Sequence, residues 1–193
     1  MFCAGVPLID AVQDGDVAWL KRELAAGADV DTPDPYERGT AATIATRLGH
    51  HECLQVLLEA GASPDYFEVN EKGVEYPLFV AVANNDPGCV LLLLEHGAET
   101  EMRSQREFTP LMLAATKGNL ECLELLLKHD ALVERTTLTT LETPLQYAAL
   151  KGHPDCVRAL LKVGLCINVW YSPCAGSACQ AGMHSGCTAS GQS

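Results

Sequence analysis

Thr109-Pro110-Leu111-Met112-Leu113-Ala114-Ala115-Thr116-Lys117-Gly118-Asn119 returns 34 residues later as Thr143-Pro144-Leu145-Gln146-Tyr147-Ala148-Ala149-Leu150-Lys151-Gly152-His153. Upstream, the same stretch is traceable in Tyr76-Pro77-Leu78, in Thr40-Ala41-Ala42 and in Val6-Pro7-Leu8, at spacings of 33, 36 and 34 residues. A second landmark keeps step with the first. Gly27-Ala28, Gly61-Ala62, Gly97-Ala98, Asp130-Ala131 and Gly164-Leu165 lie 34, 36, 33 and 34 residues apart. Two landmarks in one register define five units, at about 5–37, 38–73, 74–107, 108–141 and 142–170. A fixed period of this length is the mark of a solenoid.

Each unit reads as two short helices followed by an extended finger. Thr before Pro opens the first helix, the hydroxyl as a cap and the donor-free Pro nitrogen where no intrahelical partner exists. Gly15, Gly49, Gly118 and Gly152 close it in a left-handed conformation. The second helix then carries an apolar face, such as Leu54, Leu57 and Leu58 or Leu123, Leu126 and Leu127. Three departures stand out. Thr40-Ala41-Ala42 lacks the Pro and predicts a weaker helix start, while Asn85 and Asp130 replace turn glycines. The longest finger runs from Pro64 to Glu75.

The recurring T-P-L-x-x-A-A-x-x-G-H, then L-L, then G-A, resembles the ankyrin repeat over roughly residues 5 to 170. That resemblance implies an all-α solenoid of helix-turn-helix units with β-hairpin-like fingers. On the same resemblance, the second helices are expected to stack on the outside and the first helices and fingers to line a concave surface. It also implies a non-catalytic module that binds a protein partner. The physics of the sequence agrees, since one such unit has too little core to stand alone and neighbours must bury each other's faces.

Charge narrows the partner. The chain has 25 acidic and 13 basic residues, a net charge of −12, and no dense Lys/Arg cluster. Nucleic acids and anionic membranes, which are gripped through Lys and Arg, are therefore unexpected partners. The longest apolar run, Cys89 to Leu94, is too short to span a bilayer. The first residues lack the charged and apolar regions of a secretory signal. A cytoplasmic or nuclear protein with reduced thiols is expected, acting as a monomer.

No nucleotide-binding, nucleophile-elbow or H-E-x-x-H motif occurs. No catalytic residue, cofactor or metal is expected. Cys53, Cys89, Cys122 and Cys156 each follow the turn residue by four and read as small core hydrophobes, one layer apart. That separation is too wide for thiolates to share one zinc. His50 and His153 follow the turn glycine, where the resemblance implies hydrogen bonds to loop backbone. An alternative function, as a zinc- or redox-responsive regulator, rests on Cys174, Cys179, His184 and Cys187 in the uncharged tail 171–193, otherwise expected to be disordered. A second alternative is a shortened form of a ubiquitin-ligase substrate adaptor, whose SOCS box the tail does not resemble.

Recognition by such a scaffold is expected at finger tips and at the first-helix ends. Aromatic and Arg residues dominate interface energetics. The candidate partner-binding residues are Tyr36, Arg47, Tyr66, Phe67, Arg106, Phe108 and Lys117. Arg47, Arg106, Lys117 and Lys151 are basic within an acidic protein and suit an acidic peptide. Leu145, Val157, Leu160 and Leu161 are expected to form an apolar face at the C-terminal end of the stack.

Overall fold

The computed structural model describes residues 7–33, 39–70, 73–105, 107–138 and 140–163. Helices come in pairs: α1 (Pro7–Gln13) with α2 (Val17–Ala25), α3 (Ala41–Leu48) with α4 (His51–Glu59), and α5 (Pro77–Asn84) with α6 (Pro87–Glu95). Then follow α7 (Pro110–Lys117) with α8 (Leu120–Lys128) and α9 (Pro144–Lys151) with α10 (Pro154–Val163). First helices pack in the row α1, α3, α5, α7, α9, and second helices in the row α2, α4, α6, α8, α10. Two helical rows, each helix touching its partner and its neighbours, make an all-α repeat solenoid. The long finger adds a two-stranded antiparallel hairpin, β1 (Glu68–Asn70) with β2 (Gly73–Glu75), pairing Val69 with Val74.

The starts of the first helices follow the sequence signature. Thr109 and Thr143 accept from the amides of Met112 and Gln146 at 3.3 Å, and the Thr143 amide donates to Oε1 of Gln146 at 2.8 Å. The weak start expected at Thr40 differs from what is seen. Thr40 still caps α3, accepting from the Thr43 amide at 3.4 Å and sharing a hydroxyl contact with Thr43 at 3.2 Å. A fixed Pro φ is thus dispensable where the cap and two buried alanines remain. Tyr76 offers no side-chain cap, so α5 begins on Pro77 alone.

The turns are left-handed as expected, including the two without glycine: φ is 56° at Asn85 and 61° at Asp130. Gly118 (φ 78°) is needed twice over, because a Cβ there would stand 2.5 Å from Nδ1 of His153. Glu107 (φ 63°) and Leu141 (φ 56°) are also left-handed, in fingers where neither residue type announces it.

One continuous core runs between the rows. Leu54, Val90 and Leu123 occupy equivalent places and are fully buried, each worth about 1.5–3 kcal/mol relative to exposure. Their counterpart Val157 is only half-buried, as are Leu145 and Leu161. Leu160 departs from the expected end face. At 3% exposure it points into the core with Cys156.

Candidate partner-binding face

Side chains that follow the turn stitch each layer to the one before. His50 donates through Nδ1 to the carbonyl of Val12 at 2.8 Å, Asn119 through Nδ2 to Val82 at 2.6 Å, and His153 through Nε2 to Thr116 at 3.1 Å. A carbonyl only accepts, so each ring nitrogen carries the proton. The expected backbone role of His50 and His153 is therefore present. At the seam between α3/α4 and α5/α6 the corresponding residue is Asp86, which cannot donate. There His51 contacts the Asp86 carboxylate at 2.8 and 2.9 Å, and Asn84 donates to the Arg47 carbonyl at 3.3 Å.

Asp86 also caps α6, accepting from the Cys89 amide at 3.1 Å. Burial alone would raise its pKa. Hydrogen bonds from the Cys89 amide, from His51 and from the Cys89 thiol, together with the charge of His51, outweigh it and hold the carboxyl below its usual range.

Acidic side chains stitch the fingers in the same manner. Ser63, Glu99, Leu132 and Leu138 donate their amides to Asp31, Asp65, Glu101 and Glu107 at 2.8–3.1 Å, each carboxylate belonging to the preceding repeat or finger. Glu101 additionally pairs with Arg135 at 2.8 Å. Part of the chain's negative charge is therefore spent on holding fingers in register.

The candidate residues divide into three groups. Tyr36 and Arg106 lie outside the described residues, as do the tail ligands Cys174, Cys179, His184 and Cys187. Phe67 and Lys117 are exposed. Phe67 leans on Tyr76, with centroids 5.9 Å apart, and Tyr76 leans on Phe79 at 6.1 Å, so the finger root is braced by aromatics. Lys117 ends α7 and donates Nζ to the Ala83 carbonyl at 2.8 Å, bridging two layers while its side chain stays at the surface. Arg47, Tyr66 and Phe108 are half-buried. Phe108 packs on Tyr147 of the next layer, centroids 5.0 Å apart.

Exposed leucines were not among the candidates. Leu138 and Leu141, 71% and 68% exposed, stand on one finger. Its base is fixed by the Leu141 amide donating to the Thr137 carbonyl at 3.1 Å and by Thr140 bonded to Thr137 and Tyr147. Two leucines in the otherwise polar stretch 134–142 were the available sign. Leu48, the last residue of α3, and Leu150, the last but one of α9, are also exposed.

The four core thiols are chemically quiet. Burial, and then neighbouring carboxylates, push all four upward, Cys122 to about 11. Among the described residues no helix is long and apolar enough to cross a membrane.

Comparison with known proteins agrees with this geometry. The family described as ankyrin repeats (3 copies) matches residues 8–104 and 78–169. The chain is 39% identical over 116 residues to the ankyrin repeat and KH domain-containing protein mask-1 of Caenorhabditis elegans, covering 60% of this chain and 4% of that protein. It is 31% identical over 135 residues to the putative ankyrin repeat protein FPV014 of fowlpox virus, covering 69% and 30%. It is 37% identical over 91 residues to the human ankyrin repeat and SOCS box protein 11, covering 47% and 27%. The chain thus spans less than a third of these relatives' length.

Proposed function

Because the chain belongs to the ankyrin-repeat family, whose members are generally non-enzymatic protein-interaction modules, we propose that it is an adaptor or scaffold. It holds a protein partner along the face made by the fingers and the ends of the first helices. One observation carries this reading. Of the eight large hydrophobic residues exposed among the described ones, six (Leu48, Phe67, Leu132, Leu138, Leu141 and Leu150) belong to fingers or first-helix ends. Water-exposed apolar groups on a hydrogen-bonded base lose little freedom when a partner covers them, which favours binding there.

Lys117 and Lys151, the last residues of α7 and α9, add cations to the same face. A partner segment with acidic residues and apolar anchors fits that pattern, and attraction to it weakens with salt. On this reading the chain works as a monomer in the cytoplasm or nucleus, where its buried unpaired thiols stay reduced.

Affinity purification supplies partners, which are then titrated against Phe67→Ala, Lys117→Glu and the pair Leu138→Ser/Leu141→Ser. Each is expected to weaken binding at least tenfold, about 1.4 kcal/mol. Glu124→Lys on the exposed side of α8 serves as the control. A partner lost with Glu124→Lys and indifferent to the other variants would move the site to the second-helix face.

A further inference from the structure

We infer that His51, Asp86 and Cys89 form a binding site for one late transition-metal dication, zinc foremost, that staples the second repeat to the third. His51 is the first residue of α4, Asp86 the N-cap of α6, and Cys89 the third residue of α6. One ligand atom from each lies within 4.8 Å of the others. Imidazole nitrogen, carboxylate oxygen and thiolate sulfur are the donors zinc takes, at about 2.0–2.3 Å. Ligand atoms around such an ion stand roughly 3.3–3.8 Å apart, so the exposed His51 ring needs only a small movement to close the site.

Three features prepare it. The Cys89 amide, 3.1 Å from Oδ1 of Asp86, holds the carboxylate in place and leaves Oδ2, 2.9 Å from Nε2 of His51, to ligate. Such outer hydrogen bonds orient metal ligands. Residue 88 is glycine, and a Cβ there would sit 3.0 Å from Nε2 of His51 and 3.4 Å from Oδ1 of Asp86, in the space the ring needs. Finally, the combination occurs at one seam. The equivalent trios are Val17, His50 and Cys53; Pro87, Asn119 and Cys122; and Leu120, His153 and Cys156. None of these offers three ligands.

On binding, the Cys89 thiol gives its proton to solvent as the sulfur–metal bond forms, Asp86 and neutral His51 each contribute a lone pair, and nothing is oxidised or reduced. One dication against two anions leaves the half-buried site neutral, with a fourth position open to water on the His51 side. Without the ion, burial and Asp86 keep the thiol protonated. The cation supplies the charge that Asp86 opposes.

The test uses the full chain with Cys174, Cys179 and Cys187 changed to Ser, stripped of metal and titrated with Co²⁺. One equivalent is expected to bind, with a thiolate-to-cobalt charge-transfer band, and Zn²⁺ is expected to displace it. Cys89→Val should abolish the band, Cys122→Val should retain it, and His51→Ala, an exposed change that leaves the core intact, should weaken binding at least tenfold. Addition of Zn²⁺ should raise the Tm of the parent and not that of His51→Ala. Absence of binding overturns the site, as does a band that survives both His51→Ala and Cys89→Val. Binding seen only when the tail cysteines are restored assigns the metal to the tail and overturns it equally.

Discussion

Between α1/α2 and α3/α4, and at the two seams after α5/α6, a donor behind the turn reaches back to a carbonyl of the preceding layer. Between α3/α4 and α5/α6 an acceptor, Asp86, stands in that place and the bond is made by His51 from the earlier layer. The two solutions join layers of the same shape but answer differently to acid. His50 and His153 keep their N–H whether or not the ring is charged, so their bonds survive protonation. The Asp86 contacts depend on the carboxylate.

The comparison breaks most severely at Gly118. Changing it to Ala adds a strained φ and drives a methyl into His153, the donor of the next seam. A loss of about 2–3 kcal/mol in urea unfolding is expected, against about 1 kcal/mol for Gly152→Ala, which has the same φ and open space. Equal losses would mean that the close approach to His153 costs nothing. Next, Asn119→Ala removes the side-chain donor to the Val82 carbonyl, which keeps the Asn85 amide at 3.1 Å, and should cost about 1 kcal/mol at any pH between 4 and 8.

Asp86→Ala removes a cap and the His51 contact, about 1 kcal/mol at neutral pH. The Asp86 carboxyl is held below its unfolded value. Its contribution is therefore complete above the ordinary carboxylate range, near pH 4, and is lost as pH falls through the lowered native value. Parent and Asp86→Ala should converge in acid, and a constant gap down to pH 2 would contradict this account. The smallest expected effect has the opposite sign. Asp130→Gly relieves a left-handed aspartate and should gain about 0.5–1 kcal/mol in a thermal melt.

The periodic features were readable because they recur. Turn glycines, Asn85, Asp130 and the four buried cysteines all follow from counting along the repeat. What could not be read is what happens once. His51 sits beside the motif residue His50, and its meeting with Asp86, 35 positions on, depends on which face α4 turns toward α6. Left-handed Glu107 and Leu141 are set by finger closure rather than by residue type. Of the candidate binding residues, aromatic character pointed to Phe67 and Phe108 alike. Packing separates them, leaving one exposed and seating the other against Tyr147.

In the metal-free protein, Cys53, Cys89, Cys122 and Cys156 set one buried thiol in each of four consecutive storeys of the stack. An alkylating reagent reaches such a sulfur only while its own storey is ajar, so labelling speed becomes a local clock. The molecule therefore carries four timepieces along its axis. The order in which the four are labelled would chart how far fraying penetrates before the whole array lets go.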